Sequence, residues 1–98
     1  LAKISKLTFA RPDREAFALL DLALYSLERG GATTAVLNAA NEVAVAAYLS
    51  GEIKFGQITD CVCHTVYTMD RASEIHTLDG IFEADKEARN IAKAYLNI

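Results

Sequence analysis

The sequence holds one proline, two cysteines and no long apolar run, and each shortage removes a class of protein. Cys61 and Cys63 stand only two positions apart, which closes too small a loop for a disulfide framework, so a reducing compartment is expected. No stretch approaches the roughly 18 consecutive apolar residues that cross a bilayer, and no charged-then-apolar leader precedes the first motif. No membrane partner and a cytosolic or organellar location are expected. Basic residues are scattered singly and the net charge is -3, from 10 basic and 13 acidic residues. A phosphate backbone needs a continuous basic stripe, so nucleic acid is not an expected partner. Repeats and low-complexity tracts are missing too, which excludes solenoids and linkers.

What is present fits a single core. A chain of 98 residues matches one domain. With 52% apolar residues it can bury about 60% of its unfolded surface without staples. Residues 1–9 mix Lys3, Ser5 and Lys6 with Ile4, Leu7 and Phe9 and begin on Leu1. They read as an arriving connection, so residues 1–12 are expected to come from an upstream domain and residues 13–98 to form a helical bundle.

Pro12-Asp13 signals a helix start, because proline restricts the residue before it and aspartate caps free amides. Phe17, Leu20, Leu24 and Leu27 then recur at helical spacing, with Arg14, Asp21, Tyr25 and Glu28 on the opposite stripe. The leucines are expected inside. Gly30-Gly31 ends this helix through a left-handed cap. A second helix over 32–49 carries Thr34, Asn38, Asn41 and Glu42 on one stripe of its first half and is apolar all round afterwards. That second half is expected to be buried on every side, at the centre of a bundle, its alanines letting neighbours come close.

Ser50-Gly51 stops the second helix, and residues 52–55 read as a short extended link. Ile58, Val62, Val66 and Met69 share a face of a third helix over 57–69; its β-branched residues would also suit a strand, but no second strand exists to pair with it. Residues 70–76 read as a polar loop, and Thr77 as the cap of a short turn over 78–83. A last helix over 85–96 is expected to bury Ala84, Ala88, Ile91, Ala92 and Tyr95 and to wet Lys86, Asn90, Lys93 and Asn97. Asp85 and Arg89 would pair along it for about 0.3–0.5 kcal/mol. The whole is an all-α, four-helix-bundle-like domain with antiparallel sequential neighbours.

Asn38, Asn41 and Glu42 form the densest polar feature. Each asparagine costs about 0.7 kcal/mol relative to alanine inside a helix, so something must compensate. Bonding to loop or neighbouring-helix backbone is the favoured reading, making the three a structural polar network. One carboxylate with two amides is a poor set for a divalent metal. Cys61, Cys63 and His64 do not share a helix face and no second cysteine pair follows, which speaks against zinc; His76 is the one further candidate ligand. Both cysteines read as small packing residues. Gly30-Gly31-Ala32 lacks the spacing of a phosphate loop. Tyr25, Tyr48, Tyr67 and Tyr95 are spread over four helices and read as core and rim. No catalytic, cofactor-binding or metal residue is assigned.

Leu7-Thr8-Phe9, Pro12-Asp13 with Phe17, Gly30-Gly31, the run from Val36 through Asn38-Ala39-Ala40-Asn41-Glu42 to Val45, and Gly51 with Ile53, Phe55 and Ile58 form one ordered pattern. It continues more weakly through Leu78, Asp79, Ala84-Asp85 and Glu87-Ala88-Arg89. The pattern resembles the C-terminal domain of the 1-deoxy-D-xylulose 5-phosphate reductoisomerases. The resemblance implies a homodimeric parent enzyme in which an NADPH-binding Rossmann domain and a catalytic domain precede the helical bundle. Such a parent converts 1-deoxy-D-xylulose 5-phosphate to 2-C-methyl-D-erythritol 4-phosphate, with Mg or Mn, in isoprenoid biosynthesis in the bacterial cytoplasm or plastid stroma. The family's metal ligands, phosphate-binding serines and lid belong to the preceding domain, so no catalytic residue maps onto this chain. One departure stands out: many members follow the aromatic at Phe17 with Pro-Cys, where this chain has Ala18-Leu19. Alanine there lets the first helix run straighter.

The leading expectation is therefore a non-catalytic domain that braces the catalytic domain of a reductoisomerase. The alternative is a freestanding helical protein-interaction module with an exposed apolar patch. A small metal enzyme using Cys61, Cys63, His64 or His76 ranks last.

Overall fold

The computed structural model describes residues 11–98, with side chains from Ala16 onward. The arriving segment expected over residues 1–12 thus lies almost wholly outside the described residues. Four α-helices and a 3-10 turn follow one another: α1 (Arg11–Arg29), α2 (Thr33–Leu49), α3 (Gly56–Thr68), the 3-10 turn (Asp70–Glu74) and α4 (Leu78–Leu96). Among the described residues there is no strand, and the all-α, bundle-like expectation holds.

Helix α1 runs unbroken through Ala18-Leu19, as alanine in place of proline allows. Its face is not the expected one. Leu22 and Ser26 are buried and Leu19, Ala23 and Tyr25 pack partly against the core, while Leu20, Leu24 and Leu27 lie exposed. The helix has apolar residues on both sides, so spacing alone could not choose between them. It ends where glycine permits, with Gly30 and Gly31 at φ +76° and +58°. Arg29 donates to the Asp70 carbonyl and to Ser73 Oγ, which ties the end of α1 to the 3-10 turn.

Helix α2 is the centre, packing against α4, α3, α1 and the 3-10 turn. Val36, Ala39, Ala40 and Ala44 are fully buried on it, facing Ala84, Ala88 and Ala92 of α4 and Ile58, Val62 and Val66 of α3. The largest fully buried side chains are valines, a threonine, a cysteine and a serine, so this core is filled with small residues at close approach. It should resist enlargement. Ala88→Leu, at a site with no exposure, is expected to cost about 2 kcal/mol by overpacking. Ala94→Leu on the wet side should be nearly neutral. Equal urea midpoints for the two variants would contradict this packing.

The second half of α2 is not buried all round. Ala46, Tyr48 and Leu49 are exposed, because no described helix covers that side. Tyr48 instead meets Phe55 edge-on at 5.5 Å. The link to α3 is turned and bent, not extended, with Ile53 buried and Gln57 Oε1 accepting from the Lys54 N–H at 2.7 Å. The third helix forms as expected and buries Ile58, Val62 and Val66.

Residues expected as a polar loop close into the 3-10 turn, because Ala72 is buried and its carbonyl accepts from the Ala32 N–H at 2.9 Å. The short turn and last helix are one helix. Thr77 Oγ1 accepts from the Gly80 N–H at 3.1 Å, and this cap offsets the cost of an early glycine. Ala84, Ala88 and Ala92 are buried along it, but Tyr95 is exposed and stacks on His64 of α3 at 4.4 Å. Lys86, Asn90, Lys93 and Asn97 face water.

Candidate functional site

The polar stripe of α2 places Asn38 in solvent, Asn41 half-buried and Glu42 in solvent. Glu42 Oε1 accepts from Arg89 Nη2 at 3.0 Å, and Arg89 Nε donates to Asp85 Oδ1 at 2.7 Å. The hydrogen bond to Asp85, then that to Glu42, raises the Arg89 guanidinium above its ordinary value. It is a surface triad that bridges α2 and α4 and contributes little stability in water. The pairing of Asp85 with Arg89 follows from their i,i+4 spacing; the longer reach to Glu42 needs the two helices side by side.

Asn38 and Asn41 join neither the triad nor each other. Among the described residues they make no side-chain hydrogen bond, and of the three only Glu42 has one there, to Arg89. The two amides line a cleft of about 180 Å³ between α1 and α2, together with Leu19, Ala23 and Leu37. An asparagine at such a place offers two donors and an acceptor to any backbone that enters.

Two larger open grooves flank α4. One, of about 400 Å³, lies against Met69, Ile75, Glu83, Glu87 and Asn90. The other, of about 370 Å³, lies between α2 and α4 and holds Glu42, Glu52, Arg89 and Lys93. Its one hydroxyl, Ser50 Oγ, donates to the Ala46 carbonyl at 2.8 Å and is spent there. Neither groove sets a nucleophile beside a base.

The cysteines and histidines are not brought together. Cys61 is fully buried against α4, its thiol 3.8 Å from the Ala92 carbonyl, and Cys63 is half-buried. His64 is taken up by Tyr95, and His76 is exposed ahead of α4. Among the described residues no group of three His, Cys, Asp or Glu side chains is placed to hold a metal. Burial pushes the Cys61 thiol above its ordinary value, against a smaller opposing pull from Thr65, which is the reverse of what a nucleophilic thiolate needs. Because the folded thiol ionises later than the unfolded one, its contribution to stability is complete below about pH 8.5 and is lost as pH climbs through the folded value. Cys61→Ala is therefore expected to flatten the alkaline decline in the urea midpoint. An equal decline in both proteins would contradict the burial.

Fold and site together define a small helical packing domain, with open surfaces and no assembled chemistry among the described residues. No described helix is long and apolar enough to cross a membrane. The chain matches the family model of the DXP reductoisomerase C-terminal domain over residues 1–91 and belongs to that family. Three relatives are each named 1-deoxy-D-xylulose 5-phosphate reductoisomerase. That of Pseudomonas savastanoi pv. phaseolicola is 42% identical, over 98% of this chain and 24% of its own length. That of Nitrosomonas eutropha is 44% identical, over 97% and 23%. That of Endomicrobium trichonymphae is 43% identical, over 99% and 25%. The chain thus spans about a quarter of the length of the curated relatives it matches.

Proposed function

We propose that this chain is the C-terminal domain of a reductoisomerase that converts 1-deoxy-D-xylulose 5-phosphate to 2-C-methyl-D-erythritol 4-phosphate for isoprenoid synthesis. Within it the chain braces the catalytic domain and performs no chemical step. The supporting observation is identity above 40% over nearly the whole chain to only a quarter of each named enzyme. NADPH and Mg or Mn belong to the parent. The residues here do not fit either group, since the described fold has no strand-turn-helix unit for a dinucleotide and no three-ligand cluster for an ion. The parent works as a homodimer in the bacterial cytoplasm or plastid stroma, and the bacterial relatives support the first location.

A freestanding interaction module is the second reading, and the exposed leucines of α1 favour it. The two are separated by purifying the 98-residue chain and mixing it with NADPH, Mg²⁺ and substrate. No NADPH binding and no oxidation are expected, while the same chain with its preceding region turns over. Turnover by the chain alone, or none by the longer protein, would sink the reading.

A further inference from the structure

Met69 is the single methionine of the sequence and closes the apolar stripe of Ile58, Val62 and Val66. Those three are buried, but Met69 is only half-buried. It packs against the core and also lines the open groove of about 400 Å³ beside α4, where small solutes reach it without unfolding. Cys61 offers no such access, since it has no exposure and burial keeps its thiol protonated. The groove also holds what an oxidised sulfur needs. Lys86 and Asn90 line it from α4, both exposed, and among the described residues neither side chain has a partner. Each is a donor; a thioether accepts from them only weakly, whereas a sulfoxide oxygen accepts well.

The position of Met69 joins this chemistry to the fold. Its N–H closes α3 on the Thr65 carbonyl at 3.0 Å, and its own carbonyl accepts from the Ala72 N–H at 3.0 Å to open the 3-10 turn. The Ala72 carbonyl in turn holds the Ala32 N–H at the start of α2, and Arg29 reaches the same turn from the end of α1. Three helices and the turn therefore meet at a junction that begins on one oxidisable sulfur.

We propose that Met69 is an oxidation site through which peroxides loosen this junction. The thioether sulfur attacks one peroxide oxygen, the O–O bond breaks as the S–O bond forms, and the proton of the transferred oxygen leaves with the departing hydroxide as water. Sulfur is oxidised and the peroxide is reduced. A polar sulfoxide held against an apolar core without a partner costs free energy, so it turns outward to Lys86 and Asn90. The packing that the thioether gave to the turn goes with it. The change is reversible, because sulfoxide reductases return the thioether. It is a property of this chain's own residues and does not depend on the reductoisomerase reading.

The test treats the full-length protein with hydrogen peroxide and follows the peptide that carries Met69 by mass spectrometry. Met69 is expected to gain oxygen within about tenfold of its rate in denaturant, since susceptibility follows exposure; a slower native rate would overturn the site. Amide exchange reads the consequence. After oxidation the Ala32, Ala72 and Ile75 amides are expected to exchange several-fold faster, while that of Glu52, bonded to the Ala47 carbonyl at the far end of α2, stays unchanged. A methionine sulfoxide reductase should restore the slow rates, which it would not do for an oxidised cysteine. Met69→Leu, of nearly the same volume, should keep them under peroxide. Unchanged exchange after oxidation, no recovery with the reductase, or equal acceleration in Met69→Leu would overturn the proposal.

Discussion

Gly31→Ala is expected to unfold this domain at moderate denaturant, costing about 3 to 5 kcal/mol of the roughly 5 to 15 available to a domain of this size. Two costs combine. Gly31 sits at φ +58°, where any side chain pays about 1 to 2 kcal/mol. A Cβ added there would also run into the carbonyl oxygens of Ser73 and Ala72, the second at 2.7 Å. Those oxygens are backbone and cannot swing aside, and the Ala72 carbonyl already holds the Ala32 N–H across the same gap. Gly30 is the internal control. Its φ is +76°, but nothing stands within 4 Å of an added Cβ, so Gly30→Ala should show the backbone cost alone, about 1 kcal/mol. Urea midpoints of the two variants read the difference, and equal midpoints would mean that α1 and the 3-10 turn do not approach as described.

Leu22→Ala is the second large effect, at about 3 kcal/mol, because Leu22 is the one leucine of α1 held at 3% exposure in the core. Leu24→Ala, at 42% exposure, should stay within about 0.5 kcal/mol. The reverse order would turn α1 over. It would put the Leu20, Leu24 and Leu27 stripe inside, as its spacing alone suggests.

That reversal marks the boundary of what the sequence could tell. Where only one face of a helix is apolar, spacing sufficed: Ile58, Val62 and Val66 are buried together, and the α4 alanines are buried as a stripe. Local punctuation was equally legible, in Gly30-Gly31 at positive φ and in Thr77 capping α4. Helix α1 carries leucines on both sides, and burying Leu22 and Ser26 instead of Leu24 and Leu27 is decided by the surfaces of α2 and α3. The ion pair between Glu42 and Arg89 spans 47 positions and follows from the direction of two helices, not from any local pattern. Tyr95 was expected inside, but the ring lies flat on His64 at the surface instead. The 3-10 turn has no local signature, because a buried Ala72 and Arg29, which reaches it from 41 positions away, hold it.

For the candidate site, the residue types were legible and their setting was not. Asn38 and Asn41 stand out in an alanine-rich run, and compensation by backbone bonding is the natural expectation. The bundle itself does not supply that backbone among the described residues.

The bracing role is tested most directly by NADPH oxidation in the full-length protein, intact and shortened to end before this chain. The account predicts that the shortened protein still binds NADPH but loses most of its turnover with 1-deoxy-D-xylulose 5-phosphate. Undiminished turnover by the shortened protein would contradict it.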